Sequence, residues 1–395
     1  MKKITVLIVV LAGIIACNKI LPGAPADDEI LDGPVAGLSP EQNAIFLRGD
    51  IAFNDEVFTT STGLGPLFVA TSCGSCHAGD GKGHPFSTLT RFGQTTASGN
   101  QFLNQGGPQL QHRAIPGFQP EQLPAGATFS KFMPPANTGL GFFDAVPDAT
   151  LIALADENDT NGDGISGKPN WINVPPYAVI RTAPVIQSGK YIGRFGKKAA
   201  AYNLLHQTAN AYNQDIGITS TFESVDTYSG LSIGPEVAVQ TINEVVFYLQ
   251  TLKAPVQRNQ SNAEIQSGKQ IFINTGCAKC HTPVQATGIS SIAALSNKTF
   301  FPYTDLLLHD MGPGLDDGYT EGSATTAEWR TPPLWGLGLS KNSQGGHYFL
   351  LHDGRAKTIE EAILLHGGEG SQSKSTFQQL TAKDKAMLIK FLESL

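Results

Sequence analysis

The sequence predicts an all-α protein made of two copies of one helical unit, joined by long irregular loops. Three observations predict it. The pattern C-x-x-C-H occurs at Cys73-Gly-Ser-Cys76-His77 and returns at Cys277-Ala-Lys-Cys280-His281. An amphipathic stretch ends just ahead of Pro255 and another ends the chain, each with apolar residues at helical spacing. Helix signals also precede both motifs, so the order helix, motif, long middle, closing helix runs twice.

Residues 1–17 (MKKITVLIVVLAGIIAC) put two lysines ahead of an apolar run too short to span a bilayer, which is signal-peptide grammar. Ile14-Ile15-Ala16-Cys17 resembles a bacterial lipobox, so Cys17 is expected to carry the lipid and to anchor the chain on the periplasmic side of a membrane. Residues 18–38 are rich in Pro, Gly and Asp without period, as befits a tether. Ser39-Pro40-Glu41 reads as an N-cap with proline in the first turn, opening a helix towards Phe53. In Glu236–Leu252, Val239, Ile242, Val246 and Leu249 share one helical face. Ala263–Ala278 is expected to be a helix running into the second motif. Thr381–Leu395 opens with a Thr-x-x-Asp cap and carries Leu388, Ile389 and Leu392 on one side. With 43 glycines and 24 prolines, the long middle of residues 84–230 is expected to be loops and short helices.

C-x-x-C-H is the attachment signature of c-type haem. The spacing lets two sulfurs reach one porphyrin edge, and the histidine that follows lies under the iron. Two copies predict two covalent haems, held by Cys73, Cys76 and His77 and by Cys277, Cys280 and His281. The five cysteines are then accounted for, four by haem and Cys17 by lipid, with none for a disulfide. A net charge of −7 argues against nucleic-acid binding. Asp159-Thr-Asn161-Gly-Asp163-Gly164 matches the first half of a calcium loop, but its twelfth position is Asn170 rather than Glu, so a solvated Asx turn is the competing reading.

The second half adds Arg330-Thr-Pro-Pro-Leu-Trp335-Gly-Leu337, Leu351-His-Asp-Gly-Arg-Ala356 and Glu361-Ala-Ile-Leu-Leu-His366-Gly-Gly368. Together with Gly65–Gly83 and Leu307–Leu315, these segments resemble the di-haem oxidoreductase family, distantly similar to bacterial di-haem cytochrome c peroxidases and MauG-type enzymes. The resemblance implies two cytochrome c-like domains, placed at 39–255 (with an inserted loop region) and 256–395, one haem each, with calcium near their junction. It also implies hydrogen peroxide reduced at the haem nearer the N-terminus. The electrons would come from a small cytochrome or copper protein, and a homodimer is the expected assembly. By the same resemblance His366 is the expected distal ligand of the second haem, with Met311 as its rival. For the first haem His84, His112, His206 and Met133 all remain open. Glu121, Glu157 and Glu223 are all possible distal acids and none stands out. Arg355 is a possible partner for a haem propionate, and Trp171, Trp329 and Trp335 are expected to pack in the core. The alternatives are a di-haem electron carrier without a substrate and an accessory haem lipoprotein.

Overall fold

The computed structural model describes residues 26–96 and 99–395. The signal peptide, Cys17 and residues 18–25 of the tether lie outside the described residues. Met1–Ile30 form a unit of their own, whose described part is a single 3-10 turn at Asp27–Glu29. Leu31–Leu395 pack as one unit. No helix among the described residues is long and apolar enough to cross a membrane.

The all-α expectation is wrong. The fold is mixed, 33% helical and 12% strand, with several small sheets. The first half contributes helices α1 (Pro40–Asn54), α2 (Leu140–Asp144), α3 (Asp148–Leu154), α4 (Leu204–Gln214) and α5 (Val239–Thr251). The second contributes α6 (Ala263–Asn274), α7 (Ser340–Ser343), α8 (Ile359–Leu364), α9 (Ser371–Gln379) and α10 (Ala382–Ser394). Between them run antiparallel ladders of two to four residues. Leu89–Phe92 pairs with Phe129–Phe132, Leu308–Asp310 with Glu328–Arg330, and Trp171–Ile172 with Lys190–Ile192. Strands this short give no run of alternation to read, and their partners lie far along the chain. The loop-like composition of the middle region therefore concealed them.

The helices that carry the motifs form as their sequences dictate. Ser39 caps α1 in a reciprocal box with Gln42, and Thr381 caps α10 by accepting the Asp384 amide. α1 crosses α5 and α6 crosses α10, and the two crossings are built alike. Phe46, Gly49 and Phe53 face α5; Ile265, Gly268 and Phe272 hold the same spacing towards α10. A methyl on Gly49 would strike the Glu244 carbonyl and Tyr248, and one on Gly268 would strike the Met387 carbonyl and Phe391. Glycine is needed here because the helix backbones touch. Aromatic pairs close each crossing, Phe46 with Tyr248 (5.0 Å between centroids) and Phe272 with Phe391 (5.4 Å). Burying Leu388 and Leu392 adds roughly 1.5–3 kcal/mol each.

Candidate active site

Each C-x-x-C-H folds as one tight turn. The Cys73 carbonyl accepts from the Cys76 and His77 amides (3.1 and 3.0 Å), and the Cys277 carbonyl from the His281 amide (3.0 Å). That turn brings the two thiols and the imidazole of each motif onto one wall. His77 Nδ1 donates to the Pro135 carbonyl (2.9 Å) and His281 Nδ1 to the Tyr303 carbonyl (3.0 Å). A carbonyl can only accept, so both rings carry the proton on Nδ1 and keep the Nε2 lone pair free. Burial pushes both imidazoles down to about 4, so both are neutral at pH 7. It also pushes the Cys73 and Cys277 thiols up to about 12. All four motif cysteines are free thiols.

Both motifs open into a single cavity of about 450 Å³, with Phe53, Leu249, Trp335, Phe272 and Leu392 among its apolar lining. Free ligand nitrogens, unpaired thiols and apolar walls are the features a covalently held haem requires, and the residues fit that group at both ends.

Near the second motif lies His366. It lines the cavity, its Nδ1 donates to the Ala362 carbonyl (2.7 Å), and its field helps to lower His281. Its Nε2 is therefore free as well. Met311 also lines the cavity, but it packs against Phe132, Leu315, Tyr319 and Trp329. Both candidate ligands therefore line the cavity.

Among the described residues of the first half, no histidine other than His77 lines the cavity. His84, His112 and His206 do not line the cavity; His84 Nδ1 accepts from the Phe86 amide and His206 Nδ1 from the Tyr202 amide. Met133 does line it, yet it sits two residues from the Pro135 carbonyl that holds His77, on the proximal loop. His352 also lines the cavity, flat on the Trp329 indole with ring centroids 3.7 Å apart. The polar residues of the lining include Arg91, Gln109, Gln214 and Asp215. Gln109 and Gln111 both donate to the Gln214 carbonyl (3.1 and 3.0 Å), and the Gln111 amide donates to Glu121 (2.6 Å). Burial raises Asp215 to about 6 and Glu121 to about 7, against the hydrogen bonds from Gln109 and Gln111. Of the three glutamates the sequence offered, none lines the cavity; Glu223 is taken by the Tyr177 hydroxyl (2.6 Å), and Glu121 joins this network from outside the lining.

Several residues here had no signal in the sequence. His309 is buried between Asp305 (2.8 Å from Nε2) and Glu369 (2.7 Å from Nδ1), with Cys280 Sγ 3.6 Å away. Burial opposes its charge, but the hydrogen bonds to Asp305, Cys280 and Glu369 hold it well above the usual histidine range. Both nitrogens donate, so His309 has no lone pair to offer a metal. Glu369 also takes the hydroxyl and amide of Ser166, which ends the Asp159 loop. In that loop Asp159 accepts the Asp163 and Gly164 amides, and Asn161 accepts the Asp163 amide. Asp163 pairs with Lys279 inside the second motif (3.0 Å). Arg355 lies off the cavity, bound to Asp353 (2.7 Å) and the Gly314 carbonyl. Trp329 and Trp335 are core residues, as expected.

A family model described as "Di-haem oxidoreductase, putative peroxidase" matches residues 130–395. Thirteen chains of solved structures match. One is hydrazine synthase of Kuenenia stuttgartiensis, pressurised with xenon, at 14% identity and a TM-score of 0.41, covering 95% of this chain and 98% of that one. Another is a MauG-like protein associated with microbial copper homeostasis, at 15% identity and 0.42, covering 95% and 94%. No curated protein matches the chain.

Proposed function

The chain belongs to the di-haem oxidoreductase family, and from that premise we propose that it reduces hydrogen peroxide at its first haem with electrons passed through its second. One observation carries this reading: the asymmetry of the two motif sites within one cavity. His366 lines the cavity and is near enough to His281 to lower its pKa. Apart from His77, no histidine of residues 26–255 lines the cavity, and the methionine of that half lies on the proximal loop.

His77 and His281 would hold the irons through Nε2, and the four cysteines would hold the porphyrins as thioethers. Haem supplies reversible one-electron chemistry once bound. His366 would complete the second site and keep it an electron-transfer centre, leaving substrate to the first. Two electrons and two protons turn one peroxide into two waters, and the protein must manage the protons. Asp215, which lines the cavity, is suited to accept one from bound peroxide and return it to the departing oxygen, because burial raises its pKa to about 6.

Electrons would arrive from a small cytochrome or copper protein. The extracytoplasmic location rests on residues 1–17 and on the chemistry of haem attachment. A structural calcium on Asp159, Asn161 and Asp163 is part of the same reading, supported by their alternate oxygens and by the Asp163–Lys279 tie to the second motif.

The test is the optical spectrum of the oxidised and half-reduced holo-protein before and after one equivalent of peroxide. A high-spin band that peroxide discharges is the expected result. Two low-spin haems inert to peroxide in both redox states would overturn the proposal and leave an electron carrier.

A further inference from the structure

Four cations that line the cavity have no anion of the protein to themselves: Lys374, whose charge acts on His366, and three that act together around Lys197. Lys82 lies five residues beyond His77, Lys197 in the turn after Gly196, and Arg330 at the end of strand Glu328–Arg330. Neither ammonium group has a hydrogen-bond or ion-pair partner among the described residues. Arg330 donates only to carbonyls, those of Gly196 (2.9 Å) and Thr331 (3.3 Å). The carboxylates that act on the group from farther off are already engaged, Asp353 by Arg355 and Asp305 by His309.

The three charges repel one another. Burial, then Lys82, then Arg330, push Lys197 down to about 7. Burying like charges without a counter-ion is costly, so the arrangement calls for an anion. Its place lies between the two motifs. The Lys197 charge reaches His77, and Arg330 feels Asp305, whose amide bonds the Cys280 carbonyl (3.0 Å).

Resting on the two-haem reading above, we propose that Lys82, Lys197 and Arg330 form a shared seat for the propionate carboxylates of the two porphyrins and tune their potentials. A porphyrin tied by cysteine at one edge presents its carboxylates from the opposite edge, and carboxylate is the anion that a Lys and Arg group binds. A nearby cation favours the reduced iron, which has gained an electron.

The experiment uses the holo-protein, its Lys197→Met, Lys82→Met and Lys197→Arg variants, spectroelectrochemical titration, and the propionate bending band in resonance Raman. Lys197→Met and Lys82→Met should each lower the ferrous-to-ferric ratio of at least one haem about tenfold at fixed potential, 59 mV for a one-electron couple, and shift the propionate band. Lys197→Arg, which keeps the charge, should restore both readings. Unchanged potentials in both methionine variants would overturn the proposal. So would a shift in potential with an unmoved propionate band, which would mean that the seat holds a free anion. If neither methionine variant loads haem, the wild-type band decides: a free-propionate position sinks the idea and a hydrogen-bonded position upholds it. None of these readings requires peroxide turnover, so they stand apart from the peroxidase proposal.

Discussion

At the scale of single residues, the site depends on which nitrogen of each histidine is already occupied. Carbonyls take Nδ1 of His77, His281 and His366, and carboxylates take both nitrogens of His309. Sequence cannot separate these cases, because the carbonyl acceptors on His77 and His281 come from distant loops. His366→Ala should create a high-spin signal at the second haem, readable by electron paramagnetic resonance; an unaltered low-spin spectrum would give the ligand role to Met311. Asp215→Asn should lower peroxide turnover about 100-fold or more, the usual weight of a general acid/base. Accepting a proton requires the ionised carboxylate, so wild-type turnover should fall as pH drops through about 6. That acidic limb should vanish in Asp215→Asn. A limb that persists unchanged would place the proton transfer elsewhere, with Glu121 next in line.

At the scale of elements, the two helix crossings are the rigid frame, and their glycines set how closely they pack. Gly268→Ala forces a methyl into the α10 backbone. Overpacking costs about 1–3 kcal/mol and outweighs the helix-propensity gain of about 1 kcal/mol, so denaturant unfolding of the holo-protein should show a net loss. Equal or greater stability would mean that α6 and α10 can slide apart. The Asp305–His309–Glu369 clamp ties the Asp159 loop to the segment after His366. Hydrogen bonds from His309 and Ser166 outweigh burial and bring Glu369 from the ordinary 4.5 down to about 2. A depressed carboxylate contributes stability that is fully present above pH 4.5 and is lost as pH falls towards 2. Glu369→Gln should therefore move the acid-unfolding midpoint to higher pH and flatten the dependence across that window. Coincident curves would show that the clamp adds nothing.

At the scale of the whole molecule, the proposed function has electrons and protons kept apart by residue choice within one cavity. Replacing His281 should abolish peroxide turnover while leaving the first haem's spectrum largely intact; undiminished turnover would break the proposed relay. Calcium removal by a chelator should loosen the loop at Asp159–Ser166, visible as faster hydrogen exchange there, and unchanged exchange would argue for a plain Asx turn. The sequence by itself determined whatever is encoded within a few residues: both C-x-x-C-H turns, the caps at Ser39 and Thr381, the four motif-bearing and closing helices, and the family-like segments around Arg330 and His352. Only the tertiary structure decided the rest. The small sheets that make the fold mixed, the shared cavity that gathers both motifs with His366, and the cationic group at Lys197 all join residues far apart in the chain. The physical reason is that a motif or cap is satisfied by its own backbone, whereas strand pairing, burial and charge clustering depend on neighbours that only the folded chain supplies.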